Sequence, residues 1–250
     1  MNPLMPRLLL LCLLCISLRF SAAQEAAPPV PAMREVSPGI FELGKIRLDQ
    51  KARSVSFPAT VNKANDDLLE YLLVTPDGAR HESLLVSEVR PTDVHFAMLL
   101  LGAKGSGEKH PTELPPGQLS DEFLKKAPKP KGDTLSITVK WKTADGSEKT
   151  ASVEDWLLDP KTKKAVARGP WLYSGSMFFE GIFIAQQEGC FAALVINPNA
   201  LINNPRRGND NDEAWKANTK AIPPVDTPLT LIITLEKIAD EPSAPTKNAK

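Results

Sequence analysis

The sequence predicts an α+β, mainly β chain: one antiparallel-sheet-rich domain with several hairpins and two or three short helices. Three observations carry this. Thr134–Lys142 alternates strictly, with Leu135, Ile137, Val139 and Trp141 on one face and Ser136, Thr138, Lys140 and Lys142 on the other; such a strand is dry on one side and wet on the other. Short apolar runs recur between Gly-, Pro- and Asn-containing turns, as at Thr75-Pro76-Asp77-Gly78 and Ala144-Asp145-Gly146-Ser147. Only one stretch, Pro91–Leu101, carries apolar residues at clear helical spacing, with Val94, Ala97, Met98 and Leu101 in one stripe.

Residues 1–23 form a signal peptide in this reading. Arg7 supplies the positive charge, Leu8–Leu18 the apolar run, and Ser21-Ala22-Ala23 the small residues that place cleavage before Gln24. The run is short for a membrane span, which takes about 20 residues. Cys12 and Cys15 each follow a leucine, not the small residue a lipidated cysteine needs. An uncleaved anchor is the alternative. No stable membrane insertion is expected once the signal is removed.

Cleavage also removes Arg7 and Arg19. Of 30 basic and 30 acidic residues, 28 basic then face 30 acidic, a net charge of −2. Nucleic acid is excluded as a partner on that balance; a protein or cell-envelope partner is compatible with it. Cys190 is left as the single cysteine. The exported chain therefore holds together by packing without an internal disulfide, and Cys190, inside the apolar GCFAALVI, reads as a buried thiol.

The elements follow in order. Residues 24–37 are an Ala- and Pro-rich flexible leader, and residues 38–238 the domain. Ile40–Leu48 and Ala52–Val61 are strands, with Pro58 marking an edge or an irregularity in the second. Leu68–Val74, apolar but for Glu70, suits a strand buried on both faces. Thr75–Gly78 turns it, and Ala79–Val86 returns as the second strand of a hairpin. A regular strand there points adjacent His81 and Glu82 to opposite faces. Pro91 opens the helix and Gly102 ends it. Residues 104–131 form a Pro-, Gly- and Lys-rich loop containing His110, with a short helix at Leu119–Lys126. Glu148–Val153 returns from the alternating strand, and Val153–Leu158 packs Trp156 down. Trp171–Met177, Ile182–Gln186 and Cys190–Ile196 are further strands. Pro198–Ile202 is a helical turn, Asp212 caps a short helix holding Trp215, and Leu229–Leu235 is the last strand. Residues 239–250 are a loose polar tail.

This succession of LLEYLLVTPDG, HESLLVSEV, Pro91 with His95, LLLGAKG, the Trp156 segment, WLYSGSMFFEG, FAALVINPNALINNP and PLTLIITL resembles the YdjY-domain family of exported bacterial proteins. The resemblance implies an envelope or secreted location. It supplies no activity, so no residue takes a catalytic role from it. An iron–sulfur association attached to the family name does not transfer, because the mature chain lacks the cysteines.

Three constellations are candidates for chemistry. His81, Ser83 and His95 would meet if the helix folds back on the hairpin; two imidazoles can bind a metal, or one can activate Ser83. No HExxH or GxSxG motif supports this, and locally satisfied histidines are the plainer reading. Asp210 and Asp212 offer oxygens to a calcium ion, without the ligand spacing of an EF-hand. Trp171 and Tyr173 share a strand face and, if exposed, would stack on sugar rings; burial in a core is the plainer reading. The expectation is an exported, non-catalytic binding or structural module that needs no cofactor. The alternatives are a metal-dependent or hydrolytic enzyme using His81 and His95, and a carbohydrate-binding module using Trp171 and Tyr173.

Overall fold

A 12-stranded sheet organises the chain. The computed structural model describes residues 32–106, 129–159 and 161–236. The expected signal peptide, His110, the helix at Leu119–Lys126 and the polar tail lie outside them.

The first strands make a meander: β1 (Met33–Ser37), β2 (Ile40–Leu43), β3 (Ile46–Asp49) and β4 (Ser54–Val61) pair antiparallel in sequence order. β1 falls in the segment expected to be a leader. It is exposed along its length and is held by ladder bonds to β2 and by the Arg34–Glu42 ion pair at 2.7 Å; without an apolar face it leaves no periodic signal. β4 turns Val55, Phe57, Ala59 and Val61 inward. Pro58 sits where β4 changes partner. Its N-terminal half pairs with β3 as far as Ser56, and Thr60 and Val61 pair with β6 (Ser83–Val86). The missing N–H of Pro58 falls in the gap between them, and Ser87 Oγ donates to the Pro58 carbonyl there at 2.7 Å.

β5 (Tyr71–Val74) and β6 are neighbours, but they run parallel, with Tyr71 opposite Ser83 and Leu73 opposite Leu85. The hairpin expected from the sequence is absent, because the chain reverses twice. Gly78 N–H donates to the Thr75 carbonyl, closing the anticipated turn, and Arg80–Glu82 then forms a 3-10 turn, with Glu82 N–H on the Ala79 carbonyl. His81 and Glu82 therefore do not sit on a regular strand; their side chains lie 3.5 Å apart.

The remaining strands complete a barrel. β7 (Asp133–Lys142) pairs with β8 (Glu148–Ser152), with β10 (Trp171–Tyr173) and with β16 (Pro228–Leu235). β13 (Cys190–Ala193) pairs antiparallel with β5 and parallel with β14 (Ile202–Asn203). The order β4–β16–β7–β10–β14–β13–β5–β6 closes through the β6–β4 pairing, giving a closed eight-stranded barrel. A barrel of this size is filled by side chains. Leu135, Ile137 and Val139 of β7, and Leu229, Leu231, Ile233 and Leu235 of β16, supply much of that filling.

Three local expectations change. Ile182–Phe183 (β12) makes a two-residue hairpin with Phe178–Phe179 (β11), and Ile184–Glu188 is helical (α2). Gly189, at φ 65°, ends α2 in the left-handed conformation. Leu201 leads into β14 where a helical turn was expected. The asparagine side chains compete for the backbone there: Asn199 N–H donates to Asn197 Oδ1, and Asn197 N–H to Asn203 Oδ1. Trp215 follows a turn at Asp212–Glu213 and is not helical, with its Nε1 donating to the Gly208 carbonyl at 2.9 Å. β15 (Lys216–Ala217) follows and pairs with β9 (Leu157–Leu158).

α1 (Pro91–Leu100) closes one end of the barrel. Val94, Ala97, Met98 and Leu101 are buried as their spacing predicts, while Phe96, Leu99 and Leu100 are exposed. Met98→Ala is expected to cost about 2–5 kcal/mol of folding stability, and Leu99→Ala no more than about 0.5 kcal/mol. Urea unfolding of the two variants checks this. Equal losses would mean that α1 does not pack through that stripe.

Candidate functional site

The residues singled out in the sequence disperse. His81 projects from the exposed 3-10 turn beside Glu82. Ser83, the first residue of β6, is sealed, and its Oγ donates to the Leu85 carbonyl at 2.9 Å. His95, on α1, packs against Phe183 (centroids 4.7 Å apart) and shares a 2.7 Å hydrogen bond through Nδ1 with the Tyr173 hydroxyl. His81 and His95 have no partner in common. Asp210 is exposed and Asp212 partly so. Among the described residues, no group of three or more His, Cys, Asp or Glu side chains comes together to hold a metal ion. Cys190 is buried, and burial pushes its thiol up.

Trp171 and Tyr173 are both fully buried, because β10 lies between β7 and β14 with this face turned inward. The close approach of β7 to β10 depends on Gly132. A Cβ there would stand 1.9 Å from the Tyr173 carbonyl oxygen, at a φ of 150°. Burial also raises the Tyr173 hydroxyl pKa, so the phenol keeps its proton while it shares the hydrogen bond with His95 Nδ1.

Burial lowers the His95 pKa. The folded chain therefore resists a proton that the unfolded chain takes up near pH 6.5. The stability contributed by neutral His95 is present above that pH. It falls as pH drops through 6.5 and levels off below the lowered folded value. His95→Asn is expected to flatten this part of the stability curve between pH 7 and 5, as measured by urea midpoints. An unchanged slope would contradict it.

A second buried node joins Trp171 to the loop after β14. Trp171 Nε1 donates to Glu154 Oε1 at 3.0 Å, and Arg206 Nη2 donates to the same oxygen at 2.6 Å. Ser152 Oγ donates to Glu154 Oε2. The Arg206 guanidinium lies 5.1 Å from the Trp171 ring centroid and also donates to the Gly169 and Ala167 carbonyls. Each polar group here is answered, so the node braces the fold and offers nothing to a ligand.

The opposite end of β7 is open. A groove of about 510 Å³ is lined by Trp141, Lys142, Thr143, Lys149, Lys220 and the apolar Ile222–Pro224 segment, among others. The β7–β8 register sets Lys149 directly across from Trp141, and Leu229 of β16 flanks Trp141 on its other side. The half-buried Trp141 ring rests edge-on against buried Trp156, with centroids 5.3 Å apart. Lys142, Lys149 and Lys220 make no ion pair among the described residues, whereas neighbouring Lys140 is paired with Glu148 at 2.7 Å. The nearby Asp145 carboxylate is turned into its own loop by Thr143 Oγ1, Ser147 N–H and Ser147 Oγ. These donors hold it well below the usual carboxylate range. The result is a groove whose lining combines Trp141 with Lys149, which shares its strand face, and with Lys220.

A family model for the YdjY domain matches residues 46–234, well over half of the chain. The chain belongs to the YdjY-domain family. In this YdjY domain the match begins with β3 and takes in nearly the whole barrel, both ends included, while β1 and β2 lie outside it. No curated protein and no solved structure matches the chain. The groove of the YdjY domain was only half visible in the sequence. The turn at Ala144–Ser147 sets Lys149 across from Trp141 by counting, but Lys220 comes from a segment some seventy residues away that no local pattern ties to them.

Proposed function

We propose that this YdjY domain is an exported, non-catalytic binding module whose ligand seats in the Trp141 groove. The observation that supports it most is the combination, in one groove of about 510 Å³, of a partly buried tryptophan with Lys149 and Lys220, neither of which has a carboxylate partner among the described residues. Ligand sites are concave and mostly apolar, with a few polar groups that fix orientation, and this groove has that make-up. In the two buried nodes, by contrast, the polar groups answer one another. Export rests on the Met1–Ala23 segment. A purified protein beginning at Gln24 would support it, and one retaining Met1 would oppose it.

The carbohydrate reading moves with the site, since Trp171 and Tyr173 are sealed and Trp141 is not. A thermal-shift screen of small metabolites and oligosaccharides, run on the wild type and on Trp141→Ala, tests the groove. The expected result is a ligand class that raises the wild-type midpoint and leaves Trp141→Ala unmoved. A screen without hits, or hits that stabilise both proteins equally, would remove the groove as the binding site.

A further inference from the structure

We infer that two copies of this chain pair through the outer face of α1 and the β11–β12 hairpin, as a twofold dimer. From Val94 to Leu101 the only polar residue of this helical stretch is His95. A helix apolar all round is one covered on both sides. The barrel covers Val94, Ala97, Met98 and Leu101 and leaves Phe96, Leu99 and Leu100 open. These three form one ridge, since Leu99 and Leu100 stand three and four residues after Phe96. The open face continues onto the hairpin. Leu99 lies one turn beyond His95, whose ring packs on Phe183 at 4.7 Å; Phe183 in turn packs on Phe178 at 4.9 Å. Phe178 is 63% exposed, and Ile182 of the same hairpin is open as well. Thr92 donates to Gln186 Oε1 through both its N–H and its Oγ1, which fixes α2, and the hairpin leading into it, against α1.

The extent of the face matches one side of a protein interface. The five open side chains each keep 41–63% of their surface exposed. At ~150–250 Å² per large side chain this comes to about 450 Å² of apolar surface. A standard interface takes about 800 Å² from each partner, a little over half of it apolar. The charges select a second copy as that partner. A twofold interface sets a patch against itself, so a patch of one sign would repel its own image. This one is neutral. Burial holds His95 below its ordinary pKa, so it is uncharged at neutral pH, and Arg90 is paired with Asp93 at 2.8 Å. The exposed charges on either side in sequence are of opposite sign, Lys104 past the end of α1 and Glu180 between β11 and β12. A lipid surface is disfavoured, because helices that lie on membranes carry Lys and Arg on their polar face and α1 has neither. The dimer also leaves the Trp141 groove free. His95 bonds to Tyr173, which sits across from Asp133 at the start of β7, and Trp141 is about 26 Å further along that strand.

Sedimentation velocity of the purified protein, from low to several hundred micromolar, tests the pairing. The expected result is a monomer–dimer equilibrium in the wild type. Leu99→Glu should weaken it on the order of a hundredfold, since a twofold interface carries the substitution twice. Phe178→Ser should weaken it in the same direction, and Val225→Ser, an exposed apolar residue away from the patch, should leave it unchanged. Urea midpoints of the wild type should rise with protein concentration, and those of Leu99→Glu should not. At concentrations where the copies separate, Leu99 contributes as little to folding as its exposure implies, and equal midpoints there show that Leu99→Glu is folded. A wild type that stays monomeric throughout overturns the inference; the cover is then another part of the same chain, such as residues 107–128, or a different protein. A dimer that survives both Leu99→Glu and Phe178→Ser, or that Val225→Ser weakens equally, places the contact elsewhere and also overturns it.

Discussion

Arg206→Met is expected to destabilise the domain by about 3–5 kcal/mol at neutral pH. The reason is what it leaves behind. Glu154 is 3% exposed, and Arg206 is the cation bonded to it. Removing one member of a buried pair leaves a charge with no counter-charge and no water, which costs more than the pair is worth. The guanidinium also spans several acceptors, namely Glu154 Oε1, Asn204 Oδ1 and the Gly169 carbonyl, while stacking on Trp171. Arg206→Lys keeps the charge and loses the planar fork, so it is expected to recover only part of the loss. Adding Glu154→Gln to Arg206→Met removes the stranded charge, and the double variant should be less destabilised than the two single losses added together. Urea unfolding measures all four proteins. An Arg206→Met loss below about 1 kcal/mol would show that the node is solvated and not a brace.

Trp156→Ala is expected to cost about 3–5 kcal/mol, the ordinary penalty for emptying the site of a large buried aromatic. Trp156 is 1% exposed and closes the barrel at the groove end. Its backbone carbonyl accepts from Asn218 N–H at 2.8 Å, so the 3-10 turn at Val153–Trp156 is tied to the segment that carries Lys220. The same substitution removes the ring on which Trp141 rests. Ligand binding in the groove should therefore weaken along with stability, whereas Met98→Ala at the other end of the barrel should lower stability and leave affinity unchanged. Stability measured by urea unfolding and affinity measured by titration separate the two effects. Equal affinity losses in Trp156→Ala and Met98→Ala would mean that the groove simply tracks global stability.

Where one periodicity dominated, the local structure was legible. The alternation of Leu135, Ile137, Val139 and Trp141 marked β7, and the Val94–Leu101 stripe marked α1, because each buries a single face. Strand direction was not legible. Leu68–Val86 contains a sound turn at Thr75–Gly78, and only the second reversal at Arg80–Glu82 converts a hairpin into a parallel pair. That reversal is made by main-chain bonds among ordinary residues and leaves no mark in composition. The pairing of β4 with β6, which closes the barrel, brings Val61 to Leu85 across two dozen residues, beyond any local pattern. At the site, Trp171 and Tyr173 were conspicuous as a pair, but whether they face a core or a surface depends on which strands flank β10. Trp141 carried no such flag, because it continues a dry strand face and opens to the groove only where that face runs out at the end of the barrel.

Barrel closure and the parallel β5–β6 pair underlie everything else, the Trp141 groove at one end included. Interstrand amide and Hα contacts measured by NMR test them most directly. The expected contacts join Tyr71 to Ser83 and Leu73 to Leu85, in parallel register, together with Val61 to Leu85 across the closing seam. Contacts running antiparallel about Thr75–Gly78, with Val74 beside Ala79 and no β4–β6 seam, would contradict this fold.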